Sequence, residues 1–261
     1  MGGQPMKRCL LAALFAPVLA LALAAQTPAD PSIHVLALYS TNVEPDHVDF
    51  ARGALAFLTT IAARDHFAVT PSTNWGNLND ATLKQYQLVL WLDDSPHSEQ
   101  QRTSFEKYMA SGGGWMGFHA AGYNDRDTKW PWFVDFLGGA VFYTNSWPPL
   151  PAKLIIDDPR HPVAKGLPAT FVSPANEWYI WRPSPRLNTN VKVLATLGPS
   201  NYPLGFKDVL LSGDLPVMWT NTKFRMIYTN MGHGNKSFDS STQNQLFENC
   251  LVWLGSNGKN K

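Results

Sequence analysis

Between residues 33 and 118 the chain switches regularly between short apolar runs and longer stretches with apolar residues at helical spacing. Ile33-His34-Val35-Leu36-Ala37-Leu38-Tyr39 predicts a buried first strand, followed by a polar loop from Ser40 to about Asp46. Phe50, Ala54, Phe57, Leu58 and Ile61 recur with the period of an α-helix and predict an amphipathic helix ending near His66. Phe67 to Val69 begin a short second strand, and Asn79 suits the cap of a small helix before Tyr86. Gln87 to Leu92 predicts a third strand with a continuous apolar run, as in a parallel sheet covered on both sides. Ser98 and Gln101 have the spacing of a capping box. They open a helix whose buried face is Phe105, Tyr108 and Met109. Gly112 to Gly114 end that helix, and Trp115 to Phe118 form the fourth strand.

The second half is richer in short strands and prolines. Lys153 to Ile156, Val191 to Leu197, Val217 to Trp219 and Met226 to Thr229 are candidate strands. Leu246, Cys250, Trp253 and Leu254 share one face of a closing helix. The alternation predicts an α/β fold with a doubly wound, mostly parallel sheet flanked by helices, and additional short strands in the second half. Such sheets bind ligands beyond the carboxyl ends of their strands. Two polar clusters fall there, Asp93 to His97 after the third strand and His119 to Asp127 after the fourth.

The N-terminal segment changes the picture of where the protein works. Lys7-Arg8 precedes an apolar run to about Ala25, and Ala22-Leu23-Ala24 fits a small-x-small cleavage site. Residues 1–25 are therefore expected to be a secretory signal peptide, residues 26–32 a short leader, 33–256 the domain and 257–261 a polar tail. The expected location is exported, either periplasmic or secreted. The apolar run is too short for a typical span, so no membrane span is expected after cleavage. Cleavage removes Lys7 and Arg8 and leaves 19 basic against 20 acidic residues, a formal charge of −1. That balance gives no electrostatic footprint for nucleic acid or an anionic membrane. Cys250 alone remains as a cysteine, in an apolar helical pattern, which excludes an internal disulfide and reads as a buried thiol. The ten tryptophans exceed what a core alone needs and leave flat surface for a ligand such as a sugar.

Three segments carry candidate chemistry. Gly112-Gly113-Gly114-Trp115-Met116-Gly117-Phe118-His119-Ala120-Ala121-Gly122 runs a buried strand into a turn between small residues. This is the shape of a nucleophile elbow, here displaying His119. Histidine suits proton transfer or metal binding better than lasting covalent catalysis. Asn176-Glu177-Trp178-Tyr179 sets a carboxylate among aromatic residues, where desolvation would favour acid–base use. Tyr228-Thr229-Asn230-Met231-Gly232-His233-Gly234 ends a second strand in a histidine between glycines. His119, Glu177 and His233 are the candidate catalytic residues. His97, His119 and His233 are the candidate ligands of a divalent metal such as zinc. Asp94, Asn124, Trp132, Trp178 and Tyr179 are the candidate substrate-binding residues. His47, near the tip of the first strand, could play a supporting part. There is no phosphate-binding glycine motif, no G-x-S-x-G and no H-E-x-x-H.

Gly113-Gly114-Trp115-Met116-Gly117-Phe118-His119-Ala120-Ala121 resembles the glycine-rich signature of ThuA-like, trehalose-utilisation domains. Trp130-Pro131-Trp132, His161 to Pro168, Asn176 to Tyr179, Pro216 to Trp219 and Tyr228 to His233 resemble further family segments in the expected order. The resemblance implies the class I glutamine amidotransferase-like, flavodoxin-like architecture, and a role in carbohydrate catabolism. Amidotransferase chemistry itself is excluded, because His119 stands where those enzymes carry a cysteine. The resemblance also implies departures: Asp93-Asp94-Ser95-Pro96-His97 holds one histidine, and Asn176 stands where an aspartate is common. The expected activity is hydrolysis, elimination or isomerisation of a sugar or 3-keto-sugar. A non-catalytic carbohydrate-binding protein is the alternative. The oligomeric state is left open.

Overall fold

The computed structural model describes residues 1–3, 33–199 and 213–256. All but the first three residues of the expected signal peptide, together with the leader and the polar tail, lie outside the described residues. In chain order the elements are β1 (Ile33–Leu38), α1 (Pro45–Ala62), β2 (Phe67–Ser72), α2 (Asp80–Leu83), β3 (Leu88–Trp91), α3 (Glu99–Ala110) and β4 (Gly114–Phe118). Then come α4 (Pro131–Phe136), β5 (Phe142–Asn145), β6 (Leu150–Ile156), β7 (Thr170–Asn176), β8 (Tyr179–Trp181), β9 (Val191–Leu197), β10 (Pro216–Asn221), β11 (Arg225–Thr229) and α5 (Ser241–Gly255). Among the described residues a nine-stranded sheet runs β2-β1-β3-β4-β11-β10-β9-β6-β7, and β5 and β8 form a separate antiparallel ribbon.

The half from β2 to β11 is parallel, with β11 lying directly beside β4. The strands from β10 to β7 extend it in antiparallel fashion. The doubly wound expectation therefore holds for the parallel half, and the second-half strands continue the same sheet. Strand periodicity explains why both faces are covered. In β1, Val35 and Ala37 join the core under α1 and α5, while Leu36 and Leu38 join the core on the opposite face. In β3, Leu88 and Leu90 point one way and Val89 and Trp91 the other. Each strand thus buries apolar side chains on both sides, which is why it reads as a continuous apolar run.

Local signals also hold. The Ser98 hydroxyl accepts from Gln101 N, and the Gln101 side chain accepts from Ser98 N, closing the predicted capping box. Asn79 accepts from the backbone of Ala81 and Thr82 at the start of α2. Cys250 is fully buried in α5, and burial pushes its thiol well above the ordinary range. No described helix is long and apolar enough to cross a membrane.

Asp93, just past β3, is 2% exposed. Its Oδ1 accepts from Ser40 N at 2.8 Å, while its Oδ2 is sealed without a partner. Burial, and secondarily the charge of Asp94, push this carboxyl up to about 7. The folded state then holds its proton more tightly than the unfolded chain, where aspartate titrates near 4. This contribution to stability is complete below about pH 4 and is lost as pH rises through about 7. Asp93→Asn should flatten that slope. Urea denaturation at pH 5 and pH 8 should show wild type losing about 1–3 kcal/mol more than the variant across the interval.

Candidate functional site

The carboxyl ends of β1, β4 and β11 bring three histidines together. His47 sits in the first turn of α1, which follows β1. His119 directly follows β4 with φ of 44°, in the left-handed region that side chains other than glycine seldom occupy. Its carbonyl accepts from the Tyr228 hydroxyl at 3.0 Å, which holds the turn. Gly232 lets the β11 loop pass close by: a Cβ there would lie 2.8 Å from the Cβ of His119. His233 follows Gly232. The three imidazoles form a near-equilateral triangle. Ring centroids are 5.2 Å apart for His47 and His119, 5.2 Å for His47 and His233, and 5.1 Å for His119 and His233.

Glu177, between β7 and β8, completes the group. Its Oε2 lies 3.1 Å from His119 Nε2 and 3.9 Å from His233 Nε2. Its Oε1 accepts a short hydrogen bond from Asn145 of β5. Ligand atoms from His47, His119, Glu177 and His233 all lie within 4.8 Å of one another. His47 Nε2 and His233 Nε2 are sealed from solvent yet have no hydrogen-bond partner. An unpaired buried polar nitrogen costs free energy, and two aimed at one point require a reason.

Two asparagines hold the frame. Asn176 Oδ1 accepts from the backbone N of Gly232 and of His233, both at 3.0 Å. Its Nδ2 donates to the carbonyls of Glu177 at 2.8 Å and Asn230 at 3.1 Å. One side chain thereby ties the glutamate loop to the histidine loop. Asn176 must both donate and accept here, which an ionised aspartate could not do. Asn230 lies against His119 Nδ1 with two groups, its carbonyl and its side-chain amide nitrogen, each at 3.0 Å. It can support either tautomer. A proton on Nδ1 satisfies the carbonyl and leaves the Nε2 lone pair directed at the Glu177 carboxylate. That juxtaposition calls for a cation or proton between them.

The electrostatics agree with a cation-holding centre. Burial, then the neighbouring His119, lowers His47 to about 4. Burial likewise lowers His119, although Glu177 opposes the shift. Burial raises Glu177, but the hydrogen bond and charge of His119 outweigh it, so the carboxyl ends below its usual range. His47 and His119 as neutral imidazoles, with one ionised carboxylate, are a donor set for zinc and similar divalent ions.

Glu44 and Asp46 form the mouth. Glu44 caps no backbone group at the start of α1. Its carboxylate instead reaches His47 Nε2 at 3.7 Å and His233 Nε2 at 3.6 Å. Asp46 Oδ2 lies 3.8 Å from His233 Nδ1. Both carboxylates are about half exposed.

The structure brings together His119, Glu177, His233 and Tyr179, whose ring packs on His119 at 4.1 Å. It places the others elsewhere. His97 does not join the cluster; its Nε2 meets Asp94 Oδ2 at 2.8 Å. Asp94 also accepts from the Ser40 hydroxyl at 2.5 Å, and the group lines a neighbouring depression with Trp75 and Asn74. His97 and Ser40 both address the aspartate, so they do not form a nucleophile–base pair. The third imidazole of the cluster is His47 instead, because α1 begins at the tip of a central parallel strand. Asn124 is fully buried and spends its amide on the carbonyls of Gly122 and Ala140. Trp178 is fully buried, with its indole nitrogen on the Leu150 carbonyl. Trp132 packs against Trp130, Phe136 and Phe105 in the second core. Asn124 and Trp178 are buried in the structure, whereas Trp132 is partly buried against the second core and lies outside the histidine–glutamate cluster. Glu44, Asp46, Asn145 and Asn230 escape the sequence reading. The position of residues 44–47 at the carboxyl end of β1 was the one available signal for the first two.

Residues 35–254 match the family model described as ThuA, trehalose utilisation. A ThuA-like protein from Bacteroides uniformis has a crystal structure 47% identical in sequence, with a TM-score of 0.84, covering 89% of this chain and 95% of that one. A second ThuA-like protein, from Parabacteroides merdae, is 22% identical, with a TM-score of 0.62, covering 86% of this chain and 90% of that one. A GMP synthase protein from Thermoplasma acidophilum, 10% identical with a TM-score of 0.52 and covering 87% and 96%, shares the fold alone. No functionally curated protein matches the chain.

Proposed function

The chain belongs to the ThuA, trehalose-utilisation family, and from that premise we propose that it is an exported, metal-assisted enzyme acting on a sugar or 3-keto-sugar. The reaction class is hydrolysis, elimination or isomerisation. The observation that carries this reading is the pair of sealed, unpartnered nitrogens of His47 and His233, converging with His119 Nε2 and Glu177 Oε2.

His47, His119, His233 and Glu177 would hold the ion. When bound, a divalent metal polarises a substrate oxygen and lowers the pKa of bound water. Asn145 and Asn176 fix Glu177, and Asn230 fixes the His119 ring, so the donors are oriented before substrate arrives. Glu44 is half exposed and, unlike Asp46, reaches the Nε2 atoms of both His47 and His233. It is placed to take a proton from a substrate hydroxyl or carbon and return it. Proton transfer by a positioned side chain typically contributes about a hundred- to ten-thousandfold in rate.

The test is elemental analysis of purified protein, joined to a turnover assay on trehalose and its 3-keto derivative. About one divalent ion per chain is expected. Chelation should remove both ion and turnover, and added zinc should restore them. Protein that carries no ion and takes up none from a zinc buffer would sink the reading. Export is tested separately, by the mature N-terminus of protein recovered outside the cytoplasm.

A further inference from the structure

The phenol of Tyr179 is left without an assigned task. The side chain is 6% exposed, and its hydroxyl makes no hydrogen bond among the described residues. It is also not among the sealed unpaired polar atoms, so it keeps some contact with solvent. A tyrosine hydroxyl can donate a hydrogen bond at neutral pH. The Tyr179 ring packs on His119 at 4.1 Å, which places the phenol beside the histidine–glutamate centre. The aromatic surface continues outward through Tyr123, 6.5 Å from Tyr179 between centroids. Tyr123 is 44% exposed, and its hydroxyl donates to Asp125.

Three carboxylates, Glu44, Asp46 and Glu177, lie against the imidazoles of the centre. Three carboxylates offset a bound dication and leave a net negative mouth. A ligand phosphate or carboxylate placed there would meet that negative charge.

We infer that Tyr179 and Tyr123 form a subsite for an uncharged sugar ring, in which Tyr179 donates to a ring oxygen or carbonyl and Tyr123 stacks on the ring face. The same mouth selects against phosphorylated and acidic sugars. This rests on the sugar-processing reading above.

The test is calorimetric titration of the zinc-loaded full-length protein with trehalose, its 3-keto derivative and trehalose 6-phosphate. At least one neutral probe should bind about tenfold or more tightly than the phosphate. Tyr179→Phe keeps the ring on His119. It should leave zinc content and melting temperature unchanged while weakening neutral-probe binding roughly tenfold. Tyr123→Ala should weaken it by a similar factor. Glu44→Gln combined with Asp46→Asn should narrow the gap between neutral and phosphorylated probes. Unaltered binding by Tyr179→Phe, or equal or tighter binding of the phosphate by wild type, overturns the inference. If no probe binds the loaded wild-type protein, the sugar-processing reading falls with it. If a neutral probe binds and Tyr179→Phe is indifferent, the subsite alone falls.

Discussion

Replacing His119 by alanine is expected to abolish stable metal retention and lower turnover by about a hundred- to ten-thousandfold. His119 is the one imidazole of the three in hydrogen-bond contact with Glu177, and its ring is fully buried. Its removal opens a polar cavity between His47, His233 and Glu177 and leaves Asn230 facing that space. The backbone there is already left-handed, so alanine inherits a strained position and relieves none of it. His119→Asn guards against a folding failure, since asparagine tolerates that conformation well. Elemental analysis and turnover should fall together in both variants, with the far-ultraviolet circular dichroism unchanged. Full turnover by a folded His119→Asn protein would remove His119 from the mechanism.

Asn176→Ala is expected to destabilise the protein by about 2–4 kcal/mol and to weaken zinc binding as well. Four buried hydrogen bonds converge on this one amide, two donated and two accepted. Alanine leaves two N–H groups and the Glu177 carbonyl to find new partners, while the Asn230 carbonyl keeps its contact with His119 Nδ1. The loops bearing Glu177 and His233 then lose their shared anchor. Chemical denaturation gives the first effect, and competition with a zinc chelator gives the second. The metal effect separates this residue from an ordinary core position: a cavity mutation of similar size far from the site should lower stability and leave zinc affinity alone.

The parts of this architecture that depend on local chemistry are readable in the residues themselves. β1, β3 and β4 announce themselves as continuous apolar runs because both faces of the sheet are covered. The Ser98 and Gln101 pair marks a helix start because its two hydrogen bonds lie within one turn. His119 and His233 stand out because tight turns demand glycine and alanine around them. What depends on distant partners is not readable in this way. An asparagine is the same letter whether it pins a loop, as Asn124 does, or contacts a histidine of the site, as Asn230 does. Trp178 offers the same flat ring as a sugar platform, and only its neighbours show that it is spent on packing. His97 and His47 both follow parallel strands. The loop after β3 leads away to Ser40 and Asp94, whereas α1 turns back over the tip of β4. The β5–β8 ribbon is short and irregular, so its strands leave little periodicity to detect.

The residues of the histidine–glutamate cluster come from the start of α1, the end of β4, the β7–β8 connection and the loop after β11, so nearly the whole domain must be in register before the group exists. Under the proposed metal-assisted reading, capture of an ion would therefore be a late event in folding, because no single loop presents the four ligands. A bound ion would favour the finished fold alone, and each tenfold rise in free ion above its dissociation constant would add about 1.4 kcal/mol to the cost of unfolding.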